Sequence, residues 1–163
     1  ETGIGVVPPT VLREGPFGVG SVQLWVDPAE DVDPLELIER DDPRLRLIAL
    51  FDAIVNNADR KVGHLLPQPD GRILGVDHGI CFHAEPKLRT VLWAWRGQPL
   101  APAELAILER VADALPGVTG RQLAALLTPE EAAATARRVD DLRRTAVFPL
   151  PDPDRPAIPW PPY

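Results

Sequence analysis

The chain has 163 residues, the length of one ordinary domain or two very small ones, and 45% of them are hydrophobic and 25% charged, a globular balance with enough apolar material for a core. No apolar run approaches the roughly 20 residues that span a bilayer, which excludes a transmembrane protein. Seventeen Lys and Arg stand against 24 Asp and Glu, for a net charge of −7, which argues against gripping nucleic acid through an overall field. The single cysteine, Cys81, rules out an internal disulfide framework and a multi-thiolate zinc site.

In chain order, residues 4–14 read as two short extended pieces broken at Pro8-Pro9, followed by a glycine-rich turn over 15–20. Residues 21–26, alternating and β-branched or aromatic, predict a strand, and the acidic, proline-containing 27–33 a loop. A short helix is expected over 34–40. Asp42 as N-cap with Pro43 at the first helical position opens a buried helix over 43–56, on the spacing of Leu47, Ile48, Phe51, Ile54 and Val55. Residues 62–66 and 72–77 predict two short strands joined at Pro69-Asp70-Gly71. After Asp77 the character turns helical. Residues 102–115 form an amphipathic helix, Thr119 opens another, and the capping box from Thr128 to Glu131 opens a third that runs to about 146.

The last stretch, 149–163, carries seven prolines with Asp152, Asp154, Trp160 and Tyr163, and reads as polyproline II or irregular. Its simplest use is to let Ile158, Trp160 and Tyr163 cover an apolar patch; the alternative is a docking ligand for a protein partner. The opening residues lack the pattern of a signal peptide, so the cytoplasm is the expected location. No Met occurs, so a preceding N-terminal portion is expected. Lys occurs only at Lys61 and Lys87 while Arg is frequent, the usage of a GC-rich source.

The segment that carries chemistry runs from Val55 to His64 and resumes at Leu74 to Phe82. A helix ends in polar residues and delivers Asp59 beside Arg60 and Lys61. A hairpin then returns a second carboxylate, Asp77, to the same mouth. Phosphoryl transfer from a nucleotide uses such a pair, one Asp to orient the attacking hydroxyl and one to hold Mg²⁺ across the phosphates.

Asn57-Ala58-Asp59-Arg60 and Val76-Asp77-His78-Gly79 resemble the catalytic loop and metal motif of the phosphatidylinositol 3/4-kinase family, in the style of type II phosphatidylinositol 4-kinases and their bacterial relatives. Residues 20–26, Gly-Ser-Val-Gln-Leu-Trp-Val, resemble that family's strand leading into the adenine hinge. With the Pro86–Trp93 stretch, the whole resembles an actinobacterial kinase-like family. The resemblance implies an α+β, protein-kinase-like fold: 1–33 as the end of the N-terminal lobe and the hinge strand, a remnant of the upstream sheet; 34–148 as a mainly helical C-terminal lobe with a catalytic β-hairpin; and 149–163 as the tail. It makes Asp59 the catalytic Asp and Asp77 the metal ligand, with His64 a second ligand at a position where the family has Asn. Gln23, Trp25 and Val26 would border adenine, and Arg60 or Lys61 would offset phosphate charge. ATP and Mg²⁺, or Mn²⁺ in its place, are the implied cofactors, and a lipid, protein or small-molecule hydroxyl the acceptor. A lobe without its N-terminal partner is expected to be inactive alone.

Other readings stand beside this one. The same fold would serve a pseudokinase that senses nucleotide or binds protein, which His64 and the tail favour. A metal-dependent phosphohydrolase would use Asp59, His64, Asp77 and His78. A His64/His78/His83 zinc site lacks ligand spacing on one helix face. Gly15, Gly18 and Gly20 precede a strand instead of a helix, so they form a turn and no phosphate cradle. Cys81 reads as buried and inert, and Trp93 and Trp95 as core. Arg137-Arg138 and Arg143-Arg144 read as a solvated helix face whose spacing would also suit an anionic headgroup. Lys87 and Arg89 would meet such a headgroup or pair with local acids such as Glu85.

Overall fold

The computed structural model describes residues 4–163. Its architecture is α+β, with five α-helices and two small antiparallel sheets. Strands β1 (Thr10–Gly15) and β2 (Gly18–Gln23) pair from Thr10 opposite Gln23 to Gly15 opposite Gly18. Every residue of this hairpin is exposed, including Val11, Leu12, Val19 and Val22. The expected glycine-rich turn shrinks to Pro16-Phe17, because Gly18, with φ of 103°, supplies the left-handed backbone that lets β2 begin at once. The strand therefore starts three residues earlier than its composition predicts and ends at Gln23, leaving Trp25 and Val26 beyond it.

Helix α1 (Pro34–Glu39) is capped by the Asp33 carboxylate, which accepts the Leu35 N–H at 2.8 Å. Asp42 caps the next element in the same way through Arg44 N–H, although the first turn, Pro43–Leu45, is 3₁₀ before α2 (Arg46–Val55) begins. Helix α2 is the axis of the core. Its Ile48, Leu50 and Ile54 belong to one apolar cluster with Leu108 and Val111 of α3 (Pro102–Ala114) and Val139 and Leu142 of α5 (Pro129–Thr145). Each fully buried aliphatic side chain there contributes about 1.5–3 kcal/mol. Arg46 ties α2 to α3 by two hydrogen bonds to Glu104, at 2.7 and 2.8 Å, with its guanidinium 4.8 Å from the Phe148 ring centre. The short α4 (Val118–Ala124) bridges α3 and α5, and α5 opens on the Thr128–Glu131 capping box.

Strands β3 (Leu65–Pro67) and β4 (Ile73–Gly75) make the second hairpin, and Val62–His64, expected as strand, is a 3₁₀ turn leading into it. The helical character expected after Asp77 is absent: residues 76–101 hold turns and isolated bridges but no helix. Asp77 and Phe82 take φ of 56° and 67°, which no helix accommodates, and the hydrogen bonds that a helix would make internally go instead to α2 and the turn after it. The tail lies against the body through Thr90 N–H and Trp93 Nε1–H, both donating to Ala157 O, and through Val62 N–H donating to Pro162 O. Contrary to expectation, Ile158, Trp160 and Tyr163 do not cover a patch; they are exposed, since the tail docks by its carbonyls. Among the described residues no helix is long and apolar enough to cross a membrane.

Candidate functional site

Helix α2 ends at Asn56, whose left-handed backbone (φ 56°) turns the chain sharply into Asn57–Lys61. Two buried side chains then lock this turn. Asn56 Nδ2 donates to His83 O and Glu85 O while its Oδ1 accepts Lys87 N–H, which fixes the following segment over the turn. Asn57 Nδ2 donates to Asp52 Oδ1, and its Oδ1 accepts the Asp59 N–H at 3.0 Å. Backbone bonds from Ala58 N–H to Ile80 O, Arg60 N–H to Arg89 O and Val91 N–H to Arg60 O complete the clamp.

At the centre lies Arg60, fully buried together with Asp52. Its Nη2 and Nε donate to the Asp52 carboxylate at 2.8 and 3.0 Å, and its Nη1 to Val76 O at 2.8 Å. Arg60 Nη2 also donates to His78 Nε2 at 2.8 Å, which requires a neutral imidazole. Burial first and the Arg60 charge second push the His78 pKa down to about 4, and the ring stands edge-on to Phe51. Of the two cations expected to offset phosphate charge, Arg60 is therefore excluded by burial; its guanidinium is spent on joining the loop after α2 to the end of β4. Gly75 lets β4 pass close to Arg60, since a Cβ there would sit 3.1–3.3 Å from the guanidinium.

The hairpin brings Asp77 back toward the loop of Asp59. Lys61 Nζ is 3.6 Å from Asp59 Oδ2, and His64 Nε2 is 3.4 Å from Asp77 Oδ2. Burial holds His64 below the ordinary imidazole value; Asp77 and Asp59 pull it up, Arg60 and Lys61 down. His64 thus sits among all four charges, neutral at pH 7. Its Nδ1 accepts Lys61 N–H, which leaves Nε2 protonated and donating toward Asp77. In this tautomer His64 orients the Asp77 carboxylate and does not offer a lone pair as a ligand.

Among the described residues no group of three or more His, Cys, Asp and Glu gathers to hold a metal by itself. The donor chemistry of Asp77, a largely exposed carboxylate, suits Mg²⁺, which keeps several waters and is held by one or two carboxylates together with substrate phosphates. Gln23, Trp25 and Val26 are not joined to this cluster by any hydrogen bond or ion pair among the described residues. Gln23 Nε2 donates to Thr10 Oγ1 across the first hairpin, and the exposed Trp25 donates to Asp27. His83 accepts Glu85 N–H away from His64 and His78.

Two residues that build the site, Asp52 and Asn56, have no role in the sequence pattern, and Asn57 has only its place in the motif. Asp52 left a signal, a lone carboxylate four residues after Ile48 on the apolar face of α2. Arg138, expected on a solvated face, is half-buried, with Nε on Ile54 O, Nη1 on His83 O and Nη2 on Thr135 Oγ1. Cys81 is packed among these groups, and burial pushes its thiol up to about 12.

Two curated proteins are similar to the chain. Protein Rv2133c of Mycobacterium tuberculosis is 39% identical over 198 residues, an alignment that takes in the whole of this chain and 71% of the relative. Phosphatidylinositol 4-kinase gamma 4 of Oryza sativa subsp. japonica is 32% identical over 113 residues, covering 61% of this chain and only 20% of that protein. No family model and no solved structure matches.

Proposed function

Given that the chain belongs to the family of Protein Rv2133c of Mycobacterium tuberculosis, we propose that it forms the mainly helical lobe of a phosphatidylinositol 3/4-kinase-like phosphotransferase using ATP and Mg²⁺ or Mn²⁺. The observation that carries this reading is one run of contacts joining the two carboxylates: Asp59 to Lys61 Nζ at 3.6 Å, Lys61 N–H to His64 Nδ1 at 3.4 Å, and His64 Nε2 to Asp77 at 3.4 Å. The partial likeness to a plant phosphatidylinositol 4-kinase supports it. In this reading Asp59 accepts the hydrogen bond of the acceptor hydroxyl and orients it for in-line attack. Lys61, beside Asp59, faces the phosphates, a role that Arg60 cannot share from its buried position. Asp77, held by His64, is the metal-binding carboxylate; the metal, when bound, neutralises charge on the transferring phosphoryl group. The exposed hairpin β1–β2 and the Gln23–Val26 segment after it belong to the adenine side, with residues 34–148 as the lobe and 149–163 as a strap across it.

The test is γ-phosphate release from labelled Mg²⁺-ATP by the protein at its full natural length. Asp59→Ala and Asp77→Ala are each expected to reduce turnover at least a hundredfold, since each removes a group acting on the reacting atoms. Turnover unchanged in both variants overturns the assignment. A pseudokinase is the second reading, favoured by the tautomer of His64, which turns its Nε2–H toward Asp77. Saturable ATP binding with no turnover in the unsubstituted protein would establish it.

A further inference from the structure

A cleft of about 1300 Å³ opens between α5, the 80–93 segment and the start of the tail, lined in part by Asn56 and Ala58 but by none of Asp59, Lys61, His64 and Asp77. It exceeds the roughly 300–1,000 Å³ of ordinary small-molecule sites. Its walls are apolar: Ala53, Leu88, Trp93, Leu142, Phe148 and Leu150. Its charges are not balanced. Lys87, Arg89, Arg137, Arg138 and Arg155 line it against two carboxylates, Asp141 and Asp152. Both carboxylates have partners already, Asp141 with Arg144 at 2.8 Å and Asp152 with Arg155 at 3.7 Å.

Three of the arginines have no carboxylate within ion-pair distance among the described residues. Arg138 spends Nε, Nη1 and Nη2 on two carbonyls and a hydroxyl. Arg89 donates Nε to Ala58 O and has no acid partner. Arg137, next to Arg138, is exposed and makes no ion pair. Burial first and the neighbouring Arg137 charge second lower Arg138 to about 10. In a protein of net charge −7, three acid-free arginines around one apolar cleft run against the overall field. The combination matches a molecule with an apolar chain and an oxyanion head, since guanidinium forks pair with carboxylate and phosphate alike.

We propose that this cleft binds a long-chain acyl or alkyl oxyanion, its chain along Trp93, Leu142 and Phe148 and its head at Arg137, Arg138 and Arg89. The site is distinct from the Asp59–Asp77 cluster and does not rest on the phosphotransfer reading.

Isothermal titration calorimetry of the full chain tests it, with ligands held below their micellar concentrations. The probes are dodecanoate, dodecyl phosphate and dodecylammonium, with inorganic phosphate as the head alone. One equivalent of a C12 anion is expected to bind at least tenfold tighter than dodecylammonium, although the net charge of the protein favours the cation. The tighter of the two anions names the head, and either supports the proposal. Arg137→Glu and Leu150→Asp change exposed residues, so the fold should survive them; each is expected to weaken the anion at least tenfold. Absence of saturable anion binding, equal binding of dodecylammonium, or unchanged affinity in both variants overturns the proposal. Inorganic phosphate binding as tightly as dodecyl phosphate would also overturn it, because the chain would then contribute nothing.

Discussion

Replacing Asp52 by Ala should be the most damaging single change near the candidate site. The carboxylate is fully buried and accepts from Arg60 Nε and Nη2 and from Asn57 Nδ2. Its removal strands a buried guanidinium and an amide N–H together. Breaking a buried ion pair by deleting one partner costs about 3–5 kcal/mol, because the remaining charge stays desolvated. The lost amide acceptor adds about 1 kcal/mol, the lower end of the penalty for an unsatisfied buried donor. Urea unfolding followed by far-UV circular dichroism should therefore show a fall of about 4–6 kcal/mol, comparable to the whole stability of many domains. The double variant Asp52→Ala/Arg60→Met removes the stranded charge and should recover at least about 2 kcal/mol of that loss. If Asp52→Ala loses less than about 1 kcal/mol, or the double variant is less stable than the single one, the buried pair does not hold the loop.

Two further outcomes follow from the same geometry. Gly75→Ala, whose Cβ would press on the Arg60 guanidinium at 3.1–3.3 Å, should lose about 1–3 kcal/mol, whereas Gly63→Ala, with open space at its Cβ, should stay within about 1 kcal/mol of the parent; equal effects in urea unfolding would refute the close approach. With its thiol raised to about 12, Cys81 in the folded protein should carry far less thiolate at pH 8 than a free cysteine and react with iodoacetamide at least about a hundredfold more slowly, the rate rising about tenfold per pH unit up to pH 10 without a plateau; a plateau near pH 9 would refute it.

Much of the local structure was legible in the sequence because it is decided by groups a few residues apart. Asp33, Asp42 and Thr128 cap N–H groups two or three residues ahead, and each is followed by a proline that suits the first helical turn. The apolar spacing of 43–56 and 102–115 identified the two helices that carry much of the core, and Pro69-Asp70-Gly71 identified the turn of the second hairpin. The motif residues Asp59 and Asp77 could be singled out by spacing and resemblance alone.

What surrounds those two carboxylates depended on contacts that local pattern does not encode. The stretch after Asp77 has helical character in sequence, but Asn56 supplies hydrogen bonds to His83, Glu85 and Lys87 from 27 to 31 positions away, and those bonds replace the ladder a helix would have made. Arg60 and Lys61 are adjacent and alike in sequence; only folding decides that one is fully buried on Asp52 while the other, half-buried, reaches Asp59. The same holds for Arg137 and Arg138, one exposed and one drawn in to the end of α2. The sequence by itself determined where helices begin, which faces are apolar and which acids are candidates, since capping and periodicity act over single turns. The tertiary structure alone decided which charges are desolvated and paired and which are left facing a cleft, because desolvation is set by what packs above a residue and not by its neighbours in the chain.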